Sequence, residues 1–229
     1  MEKIGKEVFP VEQKKLYLMI SHTDTGVGKL IRLISGYPYN HVCLTLDPDF
    51  RNWVSFARYI QDTPLYGGFI QEPVERYLAK GQRIDVRIFA LDISREMHQA
   101  LTALFTLAGK QDPRLRYNLF SLVTLIFGAE VPIPGAYTCL GFANKILGTD
   151  HRSIKSLNEQ LAPHMIYDGL LSELAPDSGN RDDIYFTRLG FVRGLGESLN
   201  AIGSLIQFAF HRDHKDPVHE ALYQKGVTL

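Results

Sequence analysis

Two cysteines stand in the chain, Cys43 and Cys139, and the sequence around them differs in what it would do to a thiol. Cys139 follows a Pro- and Gly-rich approach, VPIPGAYT, and opens an apolar stretch that reads as a helix. A thiol at a helix N-terminus feels the positive end of the helix dipole and nearby free N–H groups. Both favour the thiolate, which is the nucleophilic form. The plainer reading is a buried packing cysteine, a common use of the residue. His41 is the candidate base. It begins the run HVCLTL, which reads as a strand, and a rigid strand can hold an imidazole within reach of a helix-start nucleophile. Cys43 lies two residues further along and projects to the same strand face, but it has no helix terminus and reads as packing. A third group usually orients such a His. On the following strand the polar candidates are Ser55 and Arg58. Ser55 can accept or donate a hydrogen bond and takes the third position here, its plainer reading being a half-buried strand serine. Arg58 has no acceptor and fits a substrate carboxylate better.

Two other patterns invite chemistry and fail on inspection. Thr25-Gly26-Val27-Gly28-Lys29 suggests a phosphate loop, but that motif needs Gly six residues before the Lys and Ser or Thr after it. Thr23 and Leu30 stand there instead, so the glycines read as a strand-to-helix turn. His211, His214 and His219 suggest a metal site, but HRDHKDPVH is strongly polar and reads as a solvated end. No metal and no organic cofactor is expected.

The elements that must position these residues can be read from periodicity and turn residues. Leu16 to Ser21 reads as a buried strand. Thr25 to Ser35 reads as a helix stopped by Gly36 and Pro38. His41 to Leu46 and Trp53 to Tyr59 flank Asp47-Pro48-Asp49 and read as an antiparallel hairpin. Gly67-Gly68 opens an extended piece, Glu75 to Ala79 reads as one helical turn, and Arg83 to Leu91 alternates as a strand. Ser94 caps a helix carrying Met97, Leu101, Leu104 and Leu107, which Gly109 ends. Asn118 to Phe127 and Thr138 to Leu147 read as helices, the second followed by Gly148. Leu157 to Leu161 and Tyr167 to Leu174 are weaker pieces. Pro176 to Asp183 reads as a linker. Beyond it Leu195, Leu199, Ile202 and Ile206 share one helical face, whose ordinary use is to face a core. Early strands followed by helices give an α+β class. The expected division is a domain over residues 1–175 and a helical C-terminal extension over residues 176–229.

The chain has 229 residues, with 25 basic and 25 acidic side chains. Zero formal net charge lacks the basic excess that phosphate backbones attract, which argues against nucleic acid as a partner. Hydrophobic residues at 45% argue against disorder. Two cysteines do not make a disulfide framework, and the Lys- and Glu-rich N-terminus lacks the apolar segment of a secretory signal. The expectation is a soluble, cytoplasmic protein, with peripheral membrane contact open through the amphipathic C-terminal segment.

The stretch SGYPYNHVCLTLD, then a hairpin strand, and much later AYTCLGFANKIL resembles the circularly permuted branch of the NlpC-like papain-fold amidases, which includes the YiiX/YaeF-like proteins. In that branch the His strand precedes the Cys helix, as His41 precedes Cys139 here. The resemblance covers roughly Leu16 to Leu147. It implies a papain-like α+β fold of permuted topology, with a small antiparallel sheet or barrel packed against helices. It also implies that Cys139 is the nucleophile and His41 the base of a cysteine amidase or peptidase acting on peptide-like or cell-wall-fragment-like substrates. The family's third position is commonly a polar acceptor such as Glu, where this sequence places Ser55. Two alternatives stay open: a lipid acyltransferase or thioesterase using the same dyad, whose acyl groove or membrane-facing surface would come from Asn118–Phe127 and Leu195–Phe210, and a non-catalytic module binding peptide or lipid.

Overall fold

In a computed structural model the first strand, β1 (Lys14–Ser21), takes a central place in an eight-stranded sheet. The structure describes residues 14–63, 65–81, 83–124, 130–210 and 215–223. Strand β1 turns into helix α1 (Gly26–Ser35), capped by the Thr25 hydroxyl and ended by left-handed Gly36. Strands β2 (His41–Thr45), β3 (Asn52–Arg58) and β4 (Gly67–Pro73) follow, then the single turn α2 (Glu75–Leu78) and β5 (Asp85–Ile93). Helix α3 (Arg95–Phe105) starts at the predicted Ser94 cap. A short strand β6 (Arg116–Tyr117), helix α4 (Leu119–Thr124) and strand β7 (Ala136–Tyr137) lead into helix α5 (Cys139–Leu147). The chain continues through α6 (Ile154–Leu161), β8 (Met165–Leu170), α7 (Leu171–Leu174), α8 (Phe191–Phe210) and α9 (Pro217–Tyr223).

The strand order is β7-β6-β4-β3-β2-β1-β5-β8, antiparallel throughout except for β6 against β7. The class is therefore α+β, and the predicted β2–β3 hairpin is present. Strand alternation divides the apolar side chains between two faces. Leu16, Leu18, Ile20, Val42, Leu44, Val54 and Phe56 point into the main core, where α3, α5, α6 and α9 cover the sheet. Met19, Cys43, Trp53, Val86 and Ile88 point the other way, under α2 and α7. Because His41 shares the parity of Cys43, the alternation that builds the second face also fixes the side of the strand from which the imidazole leaves.

Three expectations need revision or restriction. Pro176–Asp183 is not a free linker but a strap held by Arg51 and helix α2: Arg51 donates to the Pro176 carbonyl (3.0 Å), Ser178 to Glu75 (2.5 Å), and Arg76 pairs with Asp183 (2.5 Å). The face carrying Leu195, Leu199 and Ile206 does not face a core, since these side chains are 50%, 59% and 41% exposed. Helix α8 instead buries Leu205, Phe208 and Ser198, and Ile202 is partly buried beside them. The expected helix from Asn118 is seen over Leu119–Thr124, and residues 125–129 lie outside the described residues. At the other end of the extension, Val218 and Leu222 of α9 join the main core. No helix among the described residues is long and apolar enough to cross a membrane.

Candidate active site

Delivery of Cys139 begins with a constrained approach. Gly135 sits at φ +77°, and a Cβ there would come within 2.3 Å of the Arg114 carbonyl. The next two residues form β7, held beside β6 by bonds from the Arg116 N–H to the Gly135 carbonyl (2.9 Å) and from the Asn118 N–H to the Tyr137 carbonyl (3.0 Å). Thr138 is the N-cap of α5, its hydroxyl accepting from the Gly141 N–H at 3.0 Å. Helix α5 is anchored by Leu140, Phe142, Ala143 and Ile146, all buried. Phe142 packs on Phe56 and Phe69 with ring centroids 5.3 and 5.2 Å away. Removing such a buried aromatic ring destabilises a domain by about 3–5 kcal/mol, so the packing that holds α5 on β2 and β3 also holds the thiol.

His41 meets that helix end from the first residue of β2. Its Nε2 lies 2.8 Å from Oε2 of Glu72, with side chains only 12% and 9% exposed. Burial pulls the His41 pKa down, but the Glu72 charge and hydrogen bonds with Cys139 and Glu72 outweigh it and lift the group from 6.5 to about 10. Burial likewise raises the Cys139 thiol, yet the hydrogen bond and charge of His41, together with the Val42 backbone N–H, bring it below its ordinary 9.0. Glu72 is carried down to about 2: desolvation opposes this, and the His41 charge and hydrogen bond, Arg76 and the Ser55 hydroxyl prevail. The three groups favour one another's charged forms: His41 favours the Cys139 thiolate and the Glu72 carboxylate, and both favour the imidazolium, the pattern a nucleophile, a base and an orienting acceptor would need.

Ser55, the sequence candidate for the third position, lies within reach of the imidazole but further from it than Glu72. It is fully buried, its hydroxyl donates to Oε2 of Glu72 at 2.7 Å, and it lies 3.4 Å from His41 Nε2. Tyr77 donates to the same carboxylate oxygen at 2.8 Å. Glu72 is thus the acceptor nearest the imidazole, and Ser55 and Tyr77 both donate to it. The sequence reading missed Glu72 because it lies two strands from His41, and only the register of β3 on β4 brings it back beneath the imidazole. The available signal was a single acidic residue in an otherwise apolar extended piece, FIQEPV.

Cys43 keeps the packing role assigned to it. Burial and the Glu72 charge push its thiol well above 9.0, and its sulfur lies 3.6 Å from the Tyr77 hydroxyl. Thr25–Gly28 forms the strand-to-helix turn read from the sequence, and Thr25 and Gly28 also line the same cavity as Cys139. Asn40 is bound on both sides of Thr23, accepting from its N–H (2.7 Å) and donating to its carbonyl (3.0 Å). A Cβ on Gly28 would fall 1.9 Å from the Asn40 amide nitrogen, so glycine is required for α1 to close on this turn. His219 stacks on Tyr223, while His211 and His214 lie outside the described residues. Among the described residues no three His, Cys, Asp or Glu side chains cluster as metal ligands would.

Cys139, His41 and Glu72 open on one cavity of about 340 Å³. Its walls include Arg58 and Phe56 from β3, Tyr117 from β6, Arg76 and Tyr77 from α2, and Tyr185 from the strap. Arg58, proposed from sequence as a substrate-binding group, therefore belongs to the same hollow as the thiol. Comparison of the chain with family models, with curated proteins and with solved structures finds no match in any of the three.

Proposed function

We propose that the protein is a cysteine hydrolase of amide bonds, built on a papain-like fold of permuted order in which the His strand precedes the Cys helix. What carries the reading is one observation: Cys139 and His41, 98 positions apart in sequence, interact on the wall of a cavity with Glu72 behind the imidazole. The Cys139 thiolate attacks the substrate carbonyl and forms a carbon–sulfur bond. The carbonyl oxygen takes the negative charge beside the free N–H groups at the start of α5; losing one oxyanion donor typically lowers a rate by about 100- to 1000-fold. Collapse of the intermediate breaks the carbon–nitrogen bond, and the imidazolium of His41 gives its proton to the leaving amine. Water then attacks the thioester, His41 accepts its proton, and the carboxylic acid leaves as the thiolate is restored. Glu72 keeps its negative charge and fixes the ring.

Alkylation with iodoacetamide, mapped by mass spectrometry, tests the reading. Cys139 should label far faster than Cys43 at neutral pH, and the preference should persist below pH 9. Equal, slow labelling of both would refute it. A second reading draws on the outward face of α8, where Leu195 and Leu199 are exposed together with Val192 and Phe210. Such a face suits a lipid surface, and the same thioester could then pass its acyl group to a lipid acceptor. Co-sedimentation with vesicles that Leu195→Ser with Leu199→Ser abolishes would favour acyl transfer over hydrolysis of soluble amides.

A further inference from the structure

The charged groups on the cavity wall fall into pairs, with two left over. His41 pairs with Glu72 at 2.8 Å, Arg76 with Asp183 at 2.5 Å, and Asp24 with Arg32 at 3.0 Å and His22 at 3.5 Å. Arg58 and Asp62 have no ion-pair partner among the described residues. Asp62 is exposed and therefore solvated, whereas Arg58 is half-buried. The Arg58 guanidinium donates to the Gln61 carbonyl at 2.8 Å and the Tyr185 hydroxyl at 3.5 Å, both neutral acceptors. Five N–H donors in a planar fork are suited to a carboxylate, and a partly desolvated cation with none beside it is an incomplete site.

Arg76 is the second guanidinium of the cavity. It is buried, lines the same cavity, donates to the Arg58 carbonyl at 3.3 Å, and its Nε has no hydrogen-bond partner. Two guanidiniums thus line the cavity, Arg76 paired with Asp183 and near enough to Glu72 to favour its charged form, and Arg58 with no carboxylate partner among the described residues. Arg58, Tyr117 and Cys139 all line this one cavity. The cavity volume, about 340 Å³, falls at the lower end of small-ligand sites, roughly 300–1,000 Å³.

We infer that the substrate class is an amide carrying a free carboxylate near the scissile bond, and that Arg58 is the residue that reads it. The inference rests on the hydrolase reading above and adds the charge of the substrate to it. Its probe is a pair of alkylating agents with one electrophile and different ends, N-iodoacetylglycine and N-iodoacetylglycinamide. Each forms a sulfur–carbon bond at Cys139 and releases iodide. The acid should react faster with the wild-type protein. In Arg58→Gln that preference, read as the ratio of the two rates in the same protein, should fall about tenfold, the size of one charge-assisted hydrogen bond. A second measurement uses no variant: N-acetylglycine should protect wild-type Cys139 from the neutral probe, and N-acetylglycinamide should not. Equal rates for the two probes in the wild type together with equal protection, or an unchanged preference in Arg58→Gln, would overturn the inference while leaving the hydrolase reading intact. Failure of both probes to select Cys139 over Cys43 would bring down both.

Discussion

The two cysteines lie on neighbouring parts of one small region and have opposite chemistry. Cys43 sits in the middle of β2, sealed beneath α2, and its thiol is pushed upward by burial and by Glu72. Cys139 stands at a helix start at the end of the same strand, and its thiol is drawn downward by His41 and the Val42 N–H. Both feel the Glu72 carboxylate, and for both that charge opposes ionisation. What separates them is a screening cation. Cys139 has His41 as a hydrogen-bond partner, while Cys43 has only neutral partners, the Tyr77 hydroxyl and the Met19 carbonyl. Reactivity here comes less from where a thiol is buried than from which partner is interposed.

The sharpest way to break this contrast is to remove the carboxylate. Glu72→Gln keeps the shape but lets His41 relax towards 6.5 and the Cys139 thiol towards 9.0. Iodoacetamide labelling of Cys139 at pH 7 should then fall by up to about 100-fold, because a thiol with an ordinary pKa is only a few per cent ionised there. Cys43→Ala should leave that rate unchanged.

A pH series sharpens the contrast further. His41 is raised in the folded protein, so the stability it contributes is complete below 6.5 and is lost as pH rises through about 10. Glu72 is depressed, so its contribution is complete above 4.5 and is lost as pH falls through about 2. Amide turnover should decline on the alkaline side near pH 10 as the imidazolium loses its proton. On the acid side it should decline where the thiolate is protonated, below the ordinary thiol value. In Glu72→Gln the alkaline limb should move down towards neutrality. An alkaline limb that stays in place would mean that Glu72 does not hold the charge on His41.

What could be read from the sequence follows from how local each signal is. The cap at Ser94 and the stops at Gly36 and Gly148 are local chemistry and lie where the sequence puts them, while Thr25 and Thr138, read as first helical residues, are the caps just outside their helices. Cys139 and His41 were legible because each sits at the start of an element and carries a reactive side chain. Glu72 was not, because its role depends on the pairing of Trp53 with Glu72 across β3 and β4, which no local pattern specifies. The outward turn of Leu195 and Leu199 was missed for the complementary reason: a 3.6-residue period marks a face but not what lies opposite it. The strap went unread because Pro176–Asp183 has the composition of a linker, and its order comes from side chains far away, Arg51, Glu75 and Arg76.

The smallest test separates the two hydroxyls that hold Glu72. Both donate to Oε2, Ser55 at 2.7 Å and Tyr77 at 2.8 Å, so each should contribute about 1.5–3 kcal/mol as a bond to a charged group. Their positions differ. Ser55 also lies 3.4 Å from the imidazole, whereas Tyr77 reaches across to Cys43. Ser55→Ala should therefore lower Cys139 labelling severalfold, and the loss should be larger at acid pH, where a less well held Glu72 is the first to take a proton. Tyr77→Phe should lower the rate by a similar factor and in addition remove the hydroxyl that donates to the Cys43 sulfur, leaving that thiol as unreactive as before. Chemical denaturation of the two variants beside their labelling rates checks the assignment. A Ser55→Ala protein that loses stability but keeps the full Cys139 rate would make Ser55 a packing residue alone, and Tyr77 would then be the hydroxyl that keeps the carboxylate in place.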